Sequence, residues 1–228
     1  MKPNLPPILR RAAAEFIGTF FLLAAIIGSG IMGERLAAGN NAMVLLINSL
    51  AISAALIALI SAFGDISGAH FNPVVTLSDA LAHDFKWREV PVYFAAQIAG
   101  AFAGVGAANL MFDLPVFFAS TKTRAGSAQL FGEFIATFGL MTVIWGSSRF
   151  HLRSVPYTVA AYIFAAIWFT SSTSFANPAV TLARCLSDTF AGIRPADVLP
   201  FVAVQFVSAI LATFLFRWLI RRSVPGTQ

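Results

Sequence analysis

The chain has 228 residues, 58% hydrophobic and 11% charged, with a formal net charge of +5 and a mean hydropathy of +0.79. Soluble domains carry about a quarter charged residues, and the apolar residues here come in long blocks, so the chain reads as a polytopic membrane protein. The basic residues sit at block ends and form no stripe, which fits membrane-surface anchoring and excludes a nucleic-acid binder.

A polar arm, residues 1–11, carries Lys2, Arg10 and Arg11. The apolar block from Ala12 is too long for the core of a cleavable signal peptide. Spans are expected at about 12–33, 42–62, 90–111, 128–148, 156–172 and 198–220; a hydrocarbon core of roughly 30 Å takes about 20 helical residues. Between the second and third lies Ser67-Gly68-Ala69-His70-Phe71-Asn72-Pro73-Val74-Val75-Thr76-Leu77. It returns after the fifth span as Ser174-Phe175-Ala176-Asn177-Pro178-Ala179-Val180-Thr181-Leu182. Asn is a strong helix N-cap and Pro is favoured at the first helical position, so each copy starts a helix at its Asn. The runs end near Ala82 and Leu186, a length of about ten residues or roughly 15 Å, half of the hydrocarbon core. The segments between are polar, with His83 and His151 read as solvated loop residues. Cys185 is the one cysteine, so no internal disulfide forms, and it reads as a small apolar packer. The fold class is an all-α membrane protein: one domain over 1–228, with six transmembrane helices and two half-helices.

The halves, about 12–111 and 128–220, repeat. Ala14-Glu15-Phe16-Ile17-Gly18-Thr19-Phe20 matches Gly132-Glu133-Phe134-Ile135-Ala136-Thr137-Phe138, and Ala95-Ala96-Gln97-Ile98 matches Ala203-Val204-Gln205-Phe206. With the Asn-Pro stretches the offsets are 118, 105 and 108, so loops differ while spans correspond. Three spans per half is odd, so the halves are inverted across the membrane, and short broken helices in such repeats mark a solute site at the midplane. With the N-terminus inside, Lys2, Arg10, Arg11, Lys86, Arg88, Arg149, Arg153, Arg217, Arg221 and Arg222 are internal. Arg35, Lys122, Arg124, Arg184 and Arg194 are external. The excess puts both termini in the cytoplasm.

Six spans, an inverted repeat and two Asn-Pro half-helices resemble the aquaporin (major intrinsic protein) family over nearly the whole chain. Ser67-Gly68-Ala69-His70 is similar to that family's first-half signature, and Glu15 and Glu133 resemble its paired helix glutamates. Two departures stand out. The first motif reads Asn-Pro-Val, with Val74 where Ala is usual, which alters fit more than mechanism. Three residues after the second Asn the family usually carries a filter arginine; here stands Val180. Arg184, four residues on, is not assumed to replace it. The chain resembles the bacterial aquaglyceroporin-like branch associated with arsenic resistance, which also lacks that arginine.

As caps, Asn72 and Asn177 accept a bond from Val74 or Val75 and from Ala179 or Val180, leaving each amide NH2 free to donate at mid-membrane. Two helix N-termini meet there, each about half a positive charge, so a hydroxyl oxygen is accepted and a cation is repelled. The resemblance implies a carbonyl ladder from Gly68, Ala69, His70, Phe175 and Ala176. It implies a filter of Ile52, Ser174, Val180 and either Ile163 or Ala165, and a loop-holding role for Glu15 and Glu133. His70 then braces a loop; no metal site and no cofactor are expected. Without a guanidinium the filter passes solutes larger than water: glycerol, urea and uncharged metalloid hydroxides such as arsenous acid. The alternative is that another side chain, such as a nearby phenylalanine, closes the gap. Small residues such as Gly100, Gly104 and Gly28 allow close helix packing, and the resemblance implies a homotetramer in contact with lipid. An ion-coupled secondary transporter and a structural membrane protein with a closed pore are the competing readings. An enzyme is not expected, since no nucleophile–base pair or phosphate loop is present.

Overall fold

The computed structural model describes residues 6–82 and 84–219. Its elements, in order, are α1 (Ile8–Leu36), α2 (Asn41–Ser67), α3 (Pro73–Leu81), α4 (Val90–Met111), α5 (Ser127–Phe150), α6 (Val155–Phe169), α7 (Pro178–Arg184) and α8 (Pro195–Leu219). Six of these are long and apolar enough to cross a membrane; α3 and α7 are the half-helices. The all-α architecture expected from the sequence is therefore the one observed. Lys2, His83, Arg221, Arg222 and the last residue of the sixth expected span lie outside the described residues.

Helix ends differ from the apolar blocks for local reasons. The first helix begins at Ile8, so Arg11 is helical; it donates to the Pro6 carbonyl and to Glu89 Oε2 at 2.8 Å, tying the starts of α1 and α4. Asn40 caps α2 by accepting from Ala42 and Met43. That helix runs on to Ser67, where Gly68 takes a left-handed conformation (φ 90°) and its N–H closes on the Gly64 carbonyl. This φ favours a residue without Cβ. The sixth helix stops at Phe169 because Thr170 turns extended. The seventh stops at Arg184, short of the expected Leu186. There the loop between α4 and α5 crosses it, and the Phe118 and Ser120 amides donate to the Leu186 and Cys185 carbonyls. The last helix starts earlier than expected, at Pro195, with Asp197 in its first turn, where an acid suits the positive helix end.

The two halves use one packing plan with different atoms. In the first, Gly100 and Gly104 bring α4 against α1; a Cβ on either would come within 2.3 Å of the Phe16 or Phe20 carbonyl oxygen. Only glycine permits that approach. In the second, the position equivalent to Gly100 is Ser208, and its Oγ donates to the Phe134 carbonyl at 2.6 Å. One half thus removes the side chain and the other bonds with it. Between the halves lies the largest apolar cluster, with residues from α1, α2, α4, α5, α6 and α7.

Candidate functional site

Asn72 and Asn177 cap the two half-helices. Asn72 Oδ1 accepts from Val74 N at 3.1 Å, and Asn177 Oδ1 accepts from Ala179 N at 3.0 Å and Val180 N at 3.3 Å. Their amides are not wholly free. Asn72 Nδ2 donates to the Ala176 carbonyl and Asn177 Nδ2 to the Phe71 carbonyl, both at 2.8 Å. Each half-helix therefore holds the loop leading into the other, and each NH2 keeps one hydrogen. This corrects the expectation of a fully free amide. It also takes the Ala176 carbonyl out of the expected ladder, because the two loops lie back to back.

Those loops carry strain at matching places. Ala69 and Phe71 have φ of 50° and 48°, and Ser174 and Ala176, at the same offset, 51° and 47°. A left-handed conformation costs a residue with Cβ about 1–2 kcal/mol. The backbone N–H groups are held in return by a buried carboxylate. Glu15 accepts from His70 N, Phe71 N, Ser67 Oγ and Gln97 Nε2. Glu133 accepts from Phe175 N, Ala176 N and Gln205 Nε2. Gln97 also reaches Thr76, and Gln205 reaches Thr181; both threonines donate to the carbonyls of their capping Asn. Glu15 and Glu133 are wholly buried, and each is spent on donors. His70 is braced at both ring nitrogens, to Thr76 Oγ1 and to Asp79 Oδ2, each at 3.0 Å. Among the described residues no cluster of His, Cys, Asp and Glu is placed to hold a metal.

A cavity runs past these loops. It is lined by Gly68, Ala69, His70, Phe71 and Asn72, by 173–177, and by apolar side chains of α1, α2, α3, α5, α6 and α7. Ile52, Ile163, Ser174 and Val180 all reach it. Ala165 does not: it lies on the exposed side of α6 while Ile163 is buried. The carbonyls of Gly68, Ala69, His70, Ser174 and Phe175 accept no hydrogen bond among the described residues, so they stand as acceptors along the wall. Pro73, Val74, Pro178 and Ala179 are buried away from the wall. Val74 packs against α5 and α8 with Met141, Ala209 and Ala212, so the Asn-Pro-Val departure touches helix packing.

Two arginines also line the cavity, and the sequence did not place either there. Arg124, from the α4–α5 loop, donates through Nε to the Gly192 carbonyl at 2.8 Å and through Nη1 to Thr173 Oγ1 at 3.2 Å. Arg184 donates through Nε to the Ala191 carbonyl. Their guanidinium carbons lie 4.8 Å and 3.4 Å from the Phe175 ring centroid. Burial draws Arg124 down to about 10, with Glu133 opposing, so it stays cationic at neutral pH. A usable signal existed for Arg184: at the 105-residue offset it matches Asp79, the other charged residue of the half-helices.

The sequence profile of the major intrinsic proteins matches residues 4–154. The chain is 48% identical over 218 residues to the aquaglyceroporin AqpS of Rhizobium meliloti (strain 1021), covering 96% of this chain and 93% of that one. It is 38% identical over 142 residues to aquaporin NIP1-1 of Oryza sativa subsp. japonica, covering 61% of this chain and 49% of the plant protein. Among solved structures, the X-ray structure of the aquaglyceroporin from Plasmodium falciparum shares the fold with a TM-score of 0.68. The identity there is 20%, covering 96% of this chain and 98% of that one. Fold, relatives and a buried path define a passive membrane channel for water and small uncharged solutes, and an integral membrane protein. The chain belongs to the major intrinsic protein family.

Proposed function

We propose that the cavity is the conduction path and that Ile52, Ile163, Ser174 and Val180 form its selective region. On this reading the channel passes water together with glycerol, urea and uncharged metalloid hydroxides such as arsenous acid. The observation that carries the reading is Val180. It lines the cavity one half-turn inside α7 and is 3% exposed, and the other members offer two isoleucines and one hydroxyl. A region with a single small polar group has no donor array at its own level and no long side chain to narrow it. The acceptor carbonyls and the remaining N–H of each Asn let a hydroxylated solute exchange its water bonds in steps. The positive ends of α3 and α7 oppose a cation in the same place.

By the excess of Lys and Arg in the internal segments, both termini face the cytoplasm, so the mouth beside Arg124 and Arg184 is the outer one. A homotetramer in a bacterial inner membrane is the assembly we propose, with lipid or neighbouring subunits against exposed residues such as Phe131 and Trp218.

Stopped-flow light scattering on proteoliposomes tests the filter. The wild type should pass water, glycerol and arsenous acid. Val180→Arg should keep water flux and lower glycerol and arsenous acid flux by about tenfold or more, since a missing or added polar fit at such a site is worth well over 1 kcal/mol. A wild type that passes water alone would overturn the proposal.

A further inference from the structure

We infer that Arg184, stacked on Phe175 and joined by Arg124, is the cation barrier of this channel and its donor array for hydroxylated solutes, one helical turn outward of Val180. The inference rests on the conduction path proposed above and adds a specificity-determining pair to it.

Residues 180 and 184 are four apart on α7 and so share a face, with Arg184 about 6 Å further along the axis. Both reach the cavity. Arg184 is 6% exposed, and among the described residues only its Nε finds a protein acceptor. Its two Nη groups are left for the cavity. The Phe175 ring fixes the plane of the guanidinium from 3.4 Å, a contact that gains strength where water is excluded. Arg124 stands on the same ring at 4.8 Å and is tied down by the carbonyls of Gly192 and Phe190. Ser174 Oγ, buried in the same wall, has no hydrogen-bond partner among the described residues. A solute with several hydroxyls therefore meets two sets of unspent donors, the Nη groups of Arg184 and the Ser174 hydroxyl.

Neither charge is directly paired, although Glu133 acts on both through space. Among the described residues neither guanidinium lies within 4.0 Å of a carboxylate, and the cavity wall holds no Asp or Glu. Walls of one sign shift local ion concentrations by about tenfold to a thousandfold. A cation arriving at this mouth meets two fixed positive charges before it reaches the apolar level.

The test uses proteoliposomes with trapped sodium- and pH-sensitive dyes, reading ion leak alongside water and glycerol flux. Arg184→Leu should raise the ratio of sodium and proton leak to water flux by about tenfold and lower glycerol flux relative to water. Arg184→Lys keeps charge and should hold the leak down while glycerol flux still falls. Val180→Arg in the Arg184→Leu background should restore exclusion. Arg124→Gln, from a loop, should raise the leak less, and decides the matter if the Arg184 variants do not assemble. An unchanged leak ratio in the assembled variants overturns the inference. Absence of glycerol flux in the wild type overturns the conduction proposal instead.

Discussion

The two half-helices are built on one brace and end in opposite charges. At matching positions, offset by 105 residues, stand Val75 and Val180, Thr76 and Thr181, and Asn72 and Asn177. Ser67 Oγ accepts from Ala69 N, as Ser172 Oγ accepts from Ser174 N. The brace from carboxylate to glutamine to threonine is the same in both. The pair that follows is not. His70 and Asp79 bond at 3.0 Å in the first half; in the second the same positions are Phe175 and Arg184, held by a ring face. In the first half the imidazole takes up the carboxylate. In the second, the ring orients the cation without cancelling it. The repeat thus fixes the scaffold that holds two strained loops, and the position seven residues past each Asn carries, among the described residues, a paired charge in one half and an unpaired one in the other.

Removing the shared brace should have the largest effect. Each buried donor left without an acceptor costs about 1–3 kcal/mol. Glu133→Ala strands three donors and Glu15→Ala four, so each should cost about 3 kcal/mol or more, a large part of the roughly 5–15 kcal/mol that stabilises a fold. Both should lose most of their solute flux and unfold earlier in detergent, Glu15→Ala the more so. Wild-type flux and midpoint in either variant would show that the loops are held by something else.

Asp79→Asn tests the asymmetry at a lower cost. It removes a charged acceptor from His70, worth about 1–2 kcal/mol, and should lower the unfolding midpoint by about 2–4 °C for each kcal/mol. Sodium leak should rise little, because among the described residues the only Lys or Arg lining the cavity are Arg124 and Arg184, at the other mouth. A leak as large as that of Arg184→Leu would mean that the contrast between the two mouths is not electrostatic.

The features legible in the sequence were those written in repeated residue types. Two Asn-Pro stretches, two intramembrane glutamates and two glutamines, repeated with different loop lengths between them, led to the fold and to the loop residues on the cavity wall. What escaped depended on backbone direction or phase. The bonds from Asn72 to Ala176 and from Asn177 to Phe71 exist because four residues with Cβ adopt positive φ, which no residue type there announces. Ile163 and Ala165 differ by two positions, about 200° around a helix, so the choice needed the phase of α6. Arg124 comes from a loop with no counterpart in the other half.

That loop carries the smallest predicted effect and one with a defined pH sign. Asp188 Oδ1 accepts from Thr121 N at 2.8 Å and from Thr121 Oγ1 at 3.1 Å. The Thr121 backbone bond leads in holding its carboxyl below the usual range, with the hydroxyls of Thr121 and Ser120 and the charge of Lys122 adding to it. A carboxyl lowered in the native state contributes stability that is complete above the unfolded value, about 4, and is lost as pH falls through the lowered native value. The clasp is largely solvated, so it is worth less than about 1 kcal/mol. It nevertheless pins the segment three residues before Arg124. Ion leak through the wild type should therefore stay flat from neutral pH to about 4 and rise slightly below it. Asp188→Asn should show part of that rise already at neutral pH, and the remainder on acidification belongs to Asp197, whose Oδ2 accepts from Arg124 N at 2.8 Å. If the wild-type leak is indifferent to acid while Arg124→Gln still raises it, the side-chain bonds of Arg124 to Ser172, Thr173, Phe190 and Gly192 hold it without either carboxylate, and the clasp orders only the loop surface.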